Sequence, residues 1–143
     1  MCGRYYVDDE TAKEIAKLVS QAEQKSRRES VRGVGMFSAK DFYPSDMAPV
    51  LAEREGSLCC KWQRWGFPGF KEKQVIFNAR SESVTEKPLF RDSVRHRRVV
   101  VPAASFYEWN ARKEKSTIYR EGHPVLFMAG YYVRYGEGER FVI

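Results

Sequence analysis

The second residue of the chain is a cysteine, set directly after the initiator methionine in the string Met1-Cys2-Gly3-Arg4-Tyr5. A small residue at this position ordinarily allows Met1 to be removed, which would leave Cys2 at the N-terminus. An α-amine of ordinary pKa about 8 would then lie two carbons from a thiol of about 8.5, and both are partly nucleophilic near neutrality. Such a 1,2-aminothiol condenses with aldehydes. The amine gives a Schiff base, and the thiol closes onto the same carbon to form a five-membered thiazolidine. The plainer alternative is that Cys2 is simply a small buried residue.

Other familiar chemistries find little support. The remaining cysteines, Cys59 and Cys60, are adjacent, so three cysteines without a CxxC spacing make neither a disulfide framework nor a zinc site. His96 lies in the basic run Arg95-His96-Arg97-Arg98 and His123 in the turn Gly122-His123-Pro124, and neither resembles a metal ligand or a triad base. The patterns GxSxG and GxxxxGK are absent from the sequence. No metal or cofactor is called for. The polar string Asn78-Ala79-Arg80-Ser81-Glu82 follows directly on an expected strand, and chemistry often sits at strand ends.

The elements that must position these residues come from one domain spanning residues 1–143, with 43% hydrophobic and 14% aromatic residues to build a core. No run of about 18 apolar residues and no basic, apolar leader occurs, which argues against a membrane span or secretion and for the reducing cytoplasm. Lys and Arg number 25 against 19 Asp and Glu, and the net charge of +6 permits a polyanion partner.

Ile15, Leu18, Val19 and Ala22 share one face of a helix from Asp9 to about Lys25, with Asp8 or Asp9 able to cap it. Ser26 to Asp41, rich in basic residues and holding Gly33 and Gly35, reads as a mobile loop. Pro49 to Arg54 and Leu58 to Phe67 flank the turn Glu55-Gly56-Ser57 as a hairpin, with Leu58, Cys60 and Trp62 on one face. Gln74 to Phe77 is a strand, and Pro88 opens a short helix carrying Leu89, Phe90 and Val94. Val99 to Val101 and Ser105 to Trp109 are strands separated by a bend at Pro102-Ala103-Ala104. Thr117 to Arg120, Pro124 to Val133 and Glu139 to Ile143 read as a meander. The expected class is α+β: about seven strands in a mostly antiparallel curved sheet or β-barrel-like core, with peripheral helices. The last residues, Phe141-Val142-Ile143, are apolar strand without a polar tail, and we expect a domain cut short at its C-terminal side.

Four strings together resemble the SOS response-associated peptidase, or SRAP, family: Met1-Cys2-Gly3-Arg4-Tyr5, Trp65-Gly66-Phe67, Asn78-Ala79-Arg80-Ser81-Glu82 and Phe106-Tyr107-Glu108-Trp109. They occur in the family's order and spacing, and Thr117 to Met128 looks like the family too. The resemblance implies a sensor of abasic sites in single-stranded DNA, including single-strand to duplex junctions, whose mature Cys2 captures the opened sugar's aldehyde as a thiazolidine. It further implies catalytic roles for Cys2, Asn78 and Glu108. Asn78 would hold the opened sugar and the reacting terminus, and Glu108, flanked by Tyr107 and Trp109, would move protons. Arg80 would contact a phosphate. Trp65 and Pro44 would wedge apart neighbouring duplex, and Arg4 would lower the Cys2 thiol or hold a phosphate.

The family's His-x-Arg-Met-Pro-like histidine has no counterpart here, so neither His96 nor His123 takes its role. Two other readings accompany the leading one. In the first, Cys2 is the nucleophile of an N-terminal-nucleophile peptidase or amidohydrolase with the α-amine as base. In the second, the chain is a non-covalent single-stranded DNA-binding module in which Cys2 is incidental.

Overall fold

The computed structural model describes residues 2–26 and 38–143. The expected loop from Ser26 to Asp41 falls mostly outside the described residues. Its last part enters a strand that the sequence reading did not anticipate, β2 (Lys40–Phe42), which pairs with β1 (Arg4–Val7).

Helix α1 (Asp9–Ser26) starts where the capping signal places it. The Asp8 carboxylate accepts from the Thr11 backbone N–H and hydroxyl, both at 2.7 Å, which satisfies donors that the first turn leaves unpaired. Ile15 and Val19 are buried against Leu51 and Cys60, so the helix covers one outer wall of the barrel.

That barrel is closed, in the order β10 (Leu126–Tyr135), β11 (Gly138–Val142), β4 (Ser57–Trp65), β3 (Met47–Arg54) and β7 (Arg98–Ala103). Strands β3 (Met47–Arg54) and β4 (Ser57–Trp65) form the expected hairpin. Glu55 and Gly56 at its tip have φ of 52° and 80°, the left-handed pair that a two-residue turn between twisted strands requires. Successive residues of β4 point to opposite faces, which separates the two adjacent cysteines. Cys59 enters the barrel core and Cys60 lies beneath α1.

Gly66 interrupts what reads in the sequence as one strand running to Phe67. Its φ is +111°, and a β-carbon there would lie 2.2 Å from the Val75 Cγ1. The chain turns at this point into a small second hairpin, β5 (Phe67–Pro68) and β6 (Val75–Ile76). Helix α2 (Pro88–His96) buries Phe90 and Ser93 and leads into β7 (Arg98–Ala103).

At Ala104, whose N–H donates to the Tyr6 carbonyl at 2.8 Å, the chain leaves the barrel for a separate sheet, in the order β2, β1, β8 (Ser105–Trp109) and β9 (Lys115–Ile118). This is the bend expected at Pro102-Ala103-Ala104. Strand β8 (Ser105–Trp109) pairs with β1 and with β9 (Lys115–Ile118). The three-strand meander is corrected here, because β9 belongs to this sheet while β10 (Leu126–Tyr135) and β11 (Gly138–Val142) close the barrel. Strand β10 is central, between β7 and β11. The pairing is antiparallel apart from β11 against β4, which is parallel. The α+β class with a barrel core and flanking helices is therefore observed.

Candidate functional site at Cys2 and Asn78

Cys2 precedes β1 and is only 7% exposed, packed in the same core cluster as Tyr5, Trp65 and Phe77. The Asn78 side chain, 76 positions away in sequence, reaches it, its Nδ2 donating to the Cys2 carbonyl at 2.8 Å. The segment carrying Asn78 is itself pinned. The Phe77 carbonyl accepts from the indole Nε1 of Trp65 at 2.9 Å and from the Ile143 N–H at 3.2 Å, and the Ala79 N–H donates to the Ile143 carbonyl at 2.7 Å. Three hydrogen bonds on the residues either side of Asn78 thus set where its amide points.

These contacts correct the reading of Trp65 as a DNA wedge. Its ring is fully buried, with Tyr5, Phe77 and Phe141 around it at centroid distances of 5.1, 5.9 and 6.3 Å. Base stacking needs an accessible face, which Trp65 lacks. It acts instead as a support for the Asn78 segment. Pro44 is half-buried in the turn before β3, where the Ser45 N–H donates to the Trp65 carbonyl at 2.7 Å. Sequence reasoning passed over Phe70, which is 90% exposed at the tip of the small hairpin. Its signal was an aromatic residue in a Pro68-Gly69-Phe70-Lys71 turn, where burial is hard to achieve.

Burial pushes the Cys2 thiol up to about 11 from 9.0; backbone hydrogen bonding at Arg4 pulls the other way, and the Glu108 charge adds to the rise. The half-buried Glu108 carboxylate therefore acts electrostatically on Cys2. Continuing the β1–β8 register one residue beyond Arg4↔Tyr107 sets it opposite Gly3.

Arg4 lowers the thiol only through its backbone; its guanidinium charge plays no part in the shift. Adjacent strand residues face opposite ways, so Arg4 points away from buried Tyr5. Its guanidinium lies 4.4 Å from the ring centre of Tyr107, with Tyr43 and Trp109 at 5.5 and 5.6 Å. It also donates to the Tyr43 hydroxyl at 3.0 Å. Lys115 lies 4.8 Å from the same Tyr107 ring centre. Arg80 is exposed two residues beyond Asn78. The structure thus brings Cys2, Asn78 and Glu108 together, with basic side chains on both flanks.

The family model described as SOS response associated peptidase (SRAP) matches residues 1–142. The chain belongs to the SRAP family. Among its SRAP relatives, the abasic site processing protein YedK of Escherichia coli is 26% identical, in an alignment covering 100% of this chain and 66% of the relative. The abasic site processing protein YoaM of Bacillus subtilis is 42% identical over 60 residues, 38% of this chain and 26% of that one. The chain thus spans about two thirds of the length of the first relative and a quarter of the second. An X-ray crystal structure of a Bacteroides thetaiotaomicron protein shares the fold, with a TM-score of 0.70 at 22% identity, over 99% of this chain and 67% of that one. Among the described residues, no helix is long and apolar enough to cross a membrane, and no group of three or more His, Cys, Asp and Glu is placed to hold a metal ion.

Proposed function

We propose that this SRAP chain processes abasic sites in single-stranded DNA, capturing the ring-opened sugar through Cys2. The observation that carries the reading is the Asn78 hydrogen bond to the Cys2 carbonyl, which fixes the terminus carrying the reacting amine and thiol. With Met1 removed, the Cys2 amine adds to the aldehyde carbon and water leaves, giving a Schiff base. The thiol sulfur then adds to that carbon while its proton passes to nitrogen, closing the thiazolidine. The net change is loss of one water, with no oxidant or reductant.

A thiol at about 11 is protonated at neutral pH. It therefore needs a base at ring closure, and Glu108 is the carboxylate whose charge reaches it. The same protonation weighs against the peptidase reading, because the thiolate is the competent nucleophile for an amide. An amine-first reaction with an aldehyde makes no such demand. Arg80 and Arg4 supply phosphate contacts on the two sides of the captured sugar. The wedge role expected of Trp65 passes to Phe70 as an exposed stacking surface, and Pro44 lies in the turn on the Arg4 side. Family names of the relatives, abasic site processing proteins, support the substrate class.

The test is intact mass spectrometry of the chain with a single-stranded oligonucleotide bearing one abasic site, run beside Cys2→Ala. A species lacking Met1 that gains the oligonucleotide mass minus water, only with Cys2 present, is expected. A folded wild-type chain that forms no adduct would sink the proposal.

A further inference from the structure

Beside the Asn78 segment lies a cavity of about 660 Å³, whose Lys87, Leu89 and Phe90 have no part in the capture chemistry. Its size falls within the roughly 300–1,000 Å³ of ordinary small-ligand pockets. Ile76, Leu89 and Phe90 supply its apolar surface, and Phe70 stands at its edge. The floor is preformed. Phe90 is 4% exposed and packs on Phe67 at a ring-centre distance of 6.1 Å, within a cluster that includes Val84 and Val142. The upper parts are open, since Leu89 is 37% exposed and Phe70 90%. Three polar residues line the same cavity, Asn78, Arg80 and Lys87.

An apolar slot with an aromatic wall and two cations among its lining groups matches the anatomy of one nucleotide. A flat base takes the slot, and its phosphate takes the cations. Asn78 belongs both to this cavity and to the Cys2 contact, so an occupant lies next to whatever Cys2 holds. We propose that the cavity is a nucleobase subsite for the nucleotide on one side of the captured sugar, with Leu89 as its specificity-determining residue. This rests on the capture reading, and it adds that the protein reads the presence of a neighbouring base on one side only.

The test uses four oligonucleotides. One carries a single abasic site between normal nucleotides, and two replace the base on the 5′ or the 3′ side by an inert tetrahydrofuran spacer. The fourth carries spacers on both sides. Equilibrium affinity is measured with Cys2→Ala, and covalent capture with the wild-type chain. Removing the base on one side is expected to weaken binding about tenfold, with little change on the other. Leu89→Asp should collapse that difference to about onefold and Leu89→Met should keep it, with thermal melts confirming that each variant folds.

Capture with equal loss from both sides, or from neither, overturns the subsite and leaves the capture reading standing. One-sided base dependence without any covalent product overturns capture and supports the subsite. Absence of both DNA binding and capture in folded protein overturns the two together.

Discussion

The Asn78 amide donates to the carbonyl of Cys2 at 2.8 Å across 76 positions of sequence. The contact closes a chain of support that begins at the indole of Trp65 and passes through the Phe77 carbonyl. A carboxylate at position 78 cannot donate, so Asn78→Asp and Asn78→Ala both release the Cys2 carbonyl. We expect either variant to slow adduct formation about tenfold or more and to cost about 1 kcal/mol of stability. Gel-resolved capture kinetics beside a urea melt check this, and unchanged kinetics would remove Asn78 from the site.

Cys2 and Cys60 are both pushed up to about 11 from 9.0, chiefly by burial. The folded state therefore holds these protons longer than the unfolded chain. Their contribution to stability is fully present below about pH 9 and is lost as pH rises from 9 toward 11. Thermal melts should fall steeply over that window, and less steeply in Cys60→Ala. Alkylation of Cys2 by iodoacetamide should climb about tenfold per pH unit from 7 to 10. A plateau near pH 8.5 would show an unburied thiol.

Trp65 and Phe70 should separate stability from binding. Truncating the buried indole in Trp65→Ala is expected to cost about 3–5 kcal/mol by calorimetry or denaturant melt. Phe70→Ala, at a 90% exposed ring, should stay within about 0.5 kcal/mol of wild type. It should still weaken single-stranded DNA binding at least fivefold, as loss of a stacking surface does. Equal DNA affinity in Phe70→Ala would leave that ring without a role.

Arg80 is exposed beside Asn78, where a backbone phosphate can reach it. Neutralising one phosphate contact reduces the slope of log affinity against log salt by about one. Arg80→Gln should therefore bind more weakly at low salt and show a shallower slope, with little dependence on sequence. An unchanged slope in a fluorescence titration series would place Arg80 outside the DNA path.

Much of this was legible from local patterns, since local physics decides it. The apolar spacing Ile15, Leu18, Val19 and the cap at Asp8 specify α1 without reference to the rest of the fold. Glu55-Gly56 sets its hairpin, and Pro88 starts α2. Cys2 and Asn78 stood out through residue type, position and the family's short strings. Tertiary structure decided the rest. Whether Trp65 faces a base or the core depends on what surrounds it, and Tyr5, Phe77 and Phe141 come from three distant segments. The placement of β9 outside the barrel depends on the turn at Ala104 and on pairing with β8, neither of which leaves a periodic trace. The Cys2 thiol moves upward because burial outweighs the backbone hydrogen bonding at Arg4 that opposes it, and burial belongs to the whole fold. Short-range spacing named Cys2 as the candidate, and long-range packing set its protonation, its orientation and the surfaces around it.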